Sequence, residues 1–165
     1  MKPFLILLLV SGLAAAGNLP EGFAGLPWGA PLAALPNAQQ IAGTQQYQCY
    51  RTGDKTSVIA GADLSQARLC FSDDRFYFAQ MEFSGQDNQD NLLAYGKAMW
   101  GEPKLGQRFT DAYVWGGPQE GVYIELEFSK NDDRGTLAYV YLPIYKQTQE
   151  AAKAQRAKPR PGSGF

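Results

Sequence analysis

Gly121-Val122-Tyr123-Ile124-Glu125-Leu126-Glu127-Phe128-Ser129 is the stretch that decides the fold class of this chain. Val122, Ile124, Leu126 and Phe128 fall on one side of an extended backbone, and Tyr123, Glu125 and Glu127 on the other. Strand side chains alternate between faces, so the segment predicts a strand with one face in a core and the other toward water. The polar run Lys130-Asn131-Asp132-Asp133-Arg134-Gly135 then reads as a turn. Thr136–Leu142 is the return strand, with Pro143 ending it, and Phe109–Trp115 predicts a third strand upstream.

Further out the same logic holds. Ala67–Ser72 and Phe76–Ser84 predict a hairpin around Asp73-Asp74, with Tyr77, Ala79, Met81 and Phe83 sharing one face. Asp87–Trp100 predicts a helix capped by Asp87 or Asn88, because a short polar side chain can accept from the free amides of a first turn. Its apolar stripe is Leu92, Tyr95, Gly96, Met99 and Trp100. Gly96 costs about 1 kcal/mol of helix propensity against Ala, which suggests that the sheet approaches closely there. Gly101 and Pro103 end the helix. Before it, Gly17–Ala30 reads as irregular chain and Pro31–Leu35 as a short helical turn. Gln46–Arg51 and Thr56–Ala60 read as strands joined at Gly53-Asp54. The expectation is an α+β domain over residues 17–145 in two layers, an antiparallel sheet with helices on one face. A C-terminal helix over 146–157, beginning about Tyr145, and a disordered basic tail over 158–165 complete the chain.

The beginning of the chain predicts export. Met1-Lys2-Pro3 supplies one positive charge, Phe4 to Val10 is an unbroken apolar run, and Ala14-Ala15-Ala16 supplies the small residues that signal peptidase needs. Cleavage is expected after Ala16. The apolar run falls short of the roughly 20 residues that span a bilayer, and no later stretch would anchor the mature chain. The expected destination is the periplasm or the medium. There thiols oxidise, so Cys49 and Cys70, the two cysteines of the chain, are expected to form a disulfide. Closing that loop of roughly 20 residues stabilises the fold by about 3 kcal/mol on the chain-entropy model.

Composition excludes several chemistries. The chain contains no His, which removes Ser-His-Asp and Cys-His machinery and the commonest metal ligand. It shows no phosphate-binding loop, dinucleotide fingerprint or EF-hand, and no cofactor or metal is expected. The net charge is −1 overall. From residue 146 onward Lys146, Lys153, Arg156, Lys158 and Arg160 face only Glu150, so the body before them is acidic. An acidic body argues against nucleic acid as a ligand. Glu125 and Glu127 share a strand face and are the least poor carboxylates for a small hydrolase, against the plain reading that they form a solvated face. Aromatic residues make up 13% of the chain. Trp28, Tyr113, Trp115, Tyr123, Tyr139, Tyr141 and Tyr145 are the candidates for an exposed platform that would bind a protein, a glycan or a lipid, against the plain reading that they are core.

Two patterns occur twice. Trp28-Gly29-Ala30-Pro31 matches Trp100-Gly101-Glu102-Pro103, and Leu69-Cys70-Phe71-Ser72-Asp73-Asp74-Arg75 parallels Leu126-Glu127-Phe128-Ser129 with Asp132-Asp133-Arg134. Internal duplication and convergence of turn motifs both account for this. Phe23-x-Gly25-x-x-Trp28-Gly29, a later Gly-x-Pro after a helix, and the strand Tyr113-Val114-Trp115 resemble small exported bacterial proteins of uncharacterised function. The order of elements over 87–142 is loosely similar in topology to BamE and the beta-lactamase inhibitor protein. The lipid-bearing Cys of BamE has no counterpart at the cleavage site. The resemblance implies a non-catalytic binding module whose partner is another exported or envelope protein.

Overall fold

The computed structural model describes residues 17–52, 57–106 and 111–157. The expected signal peptide, the Gly53-Asp54 turn and the basic tail lie outside the described residues. In chain order the elements are β1 (Gly22–Phe23), β2 (Leu26–Pro27), β3 (Ala38–Gly43), β4 (Gln48–Thr52), β5 (Ser57–Ile59), β6 (Ala62–Leu64), β7 (Arg68–Ser72), β8 (Arg75–Ser84), α1 (Gln86–Trp100), β9 (Lys104–Leu105), β10 (Asp111–Gly117), β11 (Val122–Ser129), β12 (Arg134–Tyr141) and α2 (Leu142–Arg156). Eight strands form one antiparallel sheet in the order β3-β4-β7-β8-β12-β11-β10-β9. Two antiparallel runs, β3-β4-β7-β8 and β9-β10-β11-β12, thus meet at the β8·β12 ladder, and a helix follows each run. The mixed α+β class is as expected.

The main core lies on one face. Val122, Ile124, Leu126 and Phe128 all point into it, as their alternation predicts. Their partners across the strands, Tyr139, Leu137, Trp115 and Met81, join them. Gly135 sits between Phe83 and Phe128 on one rung. Lacking a Cβ, it lets the two rings stack over it with centroids 5.9 Å apart. Helix α1 covers this face through Leu92, and β6 adds Ala62 and Leu64. Gly96 does mark a close approach: a methyl group there would lie 2.5 Å from Cζ2 of Trp115. The cap differs from expectation. Gly85 precedes the helix at φ 89°, and no side chain caps it. Asn88 instead donates to Ser84 O and accepts from Asp63 N, so it ties β6 to the helix start. At the other end Gly101, at φ 86°, donates to Lys97 O and stops the helix as anticipated.

The β7–β8 turn places both Asp73 and Asp74 at positive φ, 47° and 58°, the paired left-handed turn that matches the twist of a hairpin. Beyond it the expected alternation of β8 fails at one residue. Phe71 faces Phe76 and Cys70 faces Phe78, so Tyr77 is an unpaired bulge residue. One extra residue in a strand reverses the facing of the side chains beyond it. Phe76 and Ala79 stay in the main core, while Tyr77 turns to the opposite face and packs with Cys49, Cys70 and Ile144.

That second cluster is where α2 docks. The two helices therefore lie on opposite faces of the sheet, which corrects the expected arrangement with helices on one face. Pro143, expected to terminate a strand, stands in the first turn of α2. A proline fits there because its missing N–H has no intrahelical acceptor, so the helix begins earlier than its apolar pattern suggests. The predicted disulfide is present. Cys49 and Cys70 are direct cross-strand partners, with Cα atoms 4.0 Å apart.

The N-terminal region is corrected more broadly. Ala38–Gly43 carries no strand signal in the sequence and is the sheet edge, with a bulge between Gln40 and Ala42. The segment at Ser57–Ile59 pairs with Ala62–Leu64 in its own small hairpin and not with β4. Asp74 Oδ1 accepts from Leu32 N at 2.9 Å and fixes the short helical turn at Leu32–Ala34.

Gly96→Ala separates propensity from packing. Ala ordinarily gains about 1 kcal/mol over Gly in a helix, but the indole of Trp115 leaves no room. A net loss of about 1–3 kcal/mol is expected, read as a lower urea midpoint; a higher midpoint would show that the ring can retreat.

Candidate functional site

The expected aromatic platform is not assembled. Trp115 is 3% exposed and Tyr139 5%. Ladder register explains it: Trp115 and Tyr139 both pair with Ile124, so all three point into the core. Trp115 Nε1 donates to Gly101 O at 2.8 Å, and its ring meets Trp100 edge-on. Tyr113 and Tyr141 are half-buried against the same core. Trp28 is clasped between Phe76 and Tyr141, stacked on both, and donates to Pro20 O. Tyr145 is exposed on α2 beside Tyr77. Of the candidates carried by strands, Tyr123 alone lies on the other sheet face.

That other face carries a polar grid. One rung aligns Glu82, Thr136 and Glu127; the next aligns Ser84, Arg134 and Ser129. A third aligns Arg68, Gln80, Ala138 and Glu125. Helix α2 contacts β8 and β12 at the end near Cys70 and Tyr77 and leaves these rungs open. An open groove of about 1150 Å³ runs over the first two, and Asp63, Asn88 and Asp132 extend its walls. Asp132 is oriented by Ser129 Oγ, which donates to it at 2.8 Å. The groove's charged lining is Asp63, Glu82, Glu127 and Asp132 against Arg134, so it is acidic.

Glu125 and Glu127, the carboxylates singled out from sequence, share this face but not one environment. Glu127 lines the groove. Glu125 accepts a hydrogen bond from Tyr123, whose hydroxyl is held protonated to higher pH by burial first and by that glutamate second. The carboxylate that joins Glu127 at the groove is Glu82, from a strand more than forty residues earlier. Sequence reading missed it because only the β8-β12-β11 pairing brings the two within reach. Among the described residues no group of three or more potential ligands could hold a metal ion, and no helix is long and apolar enough to cross a membrane. Compared with protein families, curated proteins and solved structures, the chain matches none of them.

Two measurements test these placements. Trp115→Ala should lose roughly 3–5 kcal/mol of stability, as a large buried ring does, while Tyr123→Ala should cost about 1 kcal/mol or less; comparable losses in urea titrations would contradict the assignment of faces. The second concerns alkali. Burial, then the neighbouring Tyr47 and Tyr145, push the Tyr77 hydroxyl up to about 12, with Arg68 pulling weakly the other way. Burial raises Tyr139 further still. An unfolded tyrosine ionises near pH 10, so above that the unfolded chain releases protons that the folded chain keeps. Stability should be intact below about pH 10 and fall toward pH 12, with late phenolate absorbance coinciding with unfolding. A urea midpoint that stays flat across this window would overturn it.

Proposed function

We propose that this chain is an exported, non-catalytic binding module that holds a basic, extended segment of another exported or envelope protein on the open face of its sheet. The observation that carries the reading is the acidic groove over the Glu82–Thr136–Glu127 rung, which α2 leaves uncovered. A cationic segment fits it by charge. Residence in the periplasm or the medium is supported by the Cys49–Cys70 disulfide. Origin by internal duplication is supported by the two four-strand runs that each follow a Trp-Gly-x-Pro and precede a helix, and opposed by the helices lying on different faces.

The alternative is a carboxylate hydrolase. Glu82 and Glu127 stand two strands apart, roughly 9–10 Å at the backbone, near the spacing that leaves room for a water between a general acid and a general base. Their open setting favours binding. A glycan or lipid platform gains little, since Tyr123 is the only strand-borne aromatic candidate on this face. Fluorescence polarisation with uncharged, Lys-rich and Glu-rich extended peptides decides between the two main readings. The Lys-rich peptide should bind best, with an affinity that falls as salt rises, and the double charge reversal Glu82→Lys, Glu127→Lys should abolish it. Equal binding by parent and variant would sink the proposal, and turnover of glycoside or ester substrates lost in Glu82→Gln would favour the enzyme.

A further inference from the structure

The last paired rung of β4 and β7 is Tyr50↔Leu69. Both residues belong to the main core, so their neighbours Arg51 and Arg68, one position further along, come opposite each other on the open face. Like charges directly across a strand pair are unfavourable, and a carboxylate between them is the usual relief. None serves here: among the described residues neither arginine makes an ion pair. Arg68 is nevertheless held in place. Its guanidinium lies 5.6 Å from the Phe78 ring centroid, Nη2 donates to Gln80 Oε1, and Nε is buried without an acceptor. Arg51 is exposed. A pocket of about 180 Å³ lies between the two, lined also by Ser65, Gln66, Gln80 and Glu82.

We infer that this pocket binds a carboxylate carried at the end of a chain or side chain. Two guanidinium forks offer the planar, paired donors that a carboxylate accepts. The pocket is well below the roughly 300–1000 Å³ of sites that enclose a whole small molecule, so it takes an end group. Glu82 on its rim repels a phosphate dianion more than a single carboxylate charge. The surrounding body is acidic, so the pair is not part of a broad basic patch for polyanions. The pocket shares Ser65 and Glu82 with the acidic groove but does not depend on the groove's occupant.

The test uses the disulfide-closed chain and follows its arginine Nε–H signals by NMR. The probes are a short uncharged peptide with a free C-terminal carboxylate, the same peptide as its amide, and inorganic phosphate. The free acid should shift the Arg68 signal saturably and the amide should not. Arg51→Gln, at an exposed position, should keep the parent amide spectrum and weaken binding about tenfold or more, the loss of one charge-assisted contact. Equal shifts from acid and amide, or undiminished binding by a folded Arg51→Gln variant, would overturn the site. Saturation by phosphate but not by the acid would overturn its assignment to carboxylates.

Discussion

Strands β8 and β12 pair from Arg134↔Ser84 to Val140↔Phe78, and that ladder makes one sheet of two. It joins residues 50 to 62 positions apart in the chain, a contact whose closure entropy must be met before any of its hydrogen bonds form. Everything else inherits its register. The rung Met81–Leu137–Leu126 fixes which side of β11 is core, and through β11 the inward direction of Trp115. A slip by one residue would turn Val122, Ile124, Leu126 and Phe128 out of the core together.

The bulge at Tyr77 is the local exception that gives the sheet its second core. Regular alternation running back from Phe83, Met81 and Ala79 would put Tyr77 in the main core and Phe76 and Phe78 on the face behind. The extra residue sends Tyr77 and Phe78 to that face in succession, where they meet the disulfide and Ile144. Helix α2 docks on the apolar surface that Tyr77 and Phe78 complete with the disulfide. Its docking ends there, and the polar rungs beyond stay uncovered.

Local pattern is legible in the sequence where one strand or helix settles the question by itself. The alternation of 122–128, the Asp73-Asp74 hairpin, the Gly96 approach and the Gly101 stop are all of this kind. Partnership between distant strands is not legible in that way. Tyr139 and Tyr141 alternate with Ala138 and Val140, apolar on both sides, so periodicity leaves their direction undecided until Ile124 is placed opposite Tyr139. Glu82 and Glu127 are likewise unrelated until Thr136 lies between them. Pro143 misleads for a different reason: proline both ends strands and starts helices, and the choice rests on the packing of the residues after it.

The Cys49–Cys70 link encloses residues 50–69, and with them the small β5-β6 hairpin, a separate two-stranded sheet whose Ala62 and Leu64 reach into the main core. A protease cut anywhere inside that interval would leave a single covalent molecule, its two pieces still fastened across adjacent strands. Away from Ala62 and Leu64, which the core holds, that interval is thus a place where the backbone can be opened, or foreign sequence spliced in, with the flanking strands kept in register by their sulfur bond.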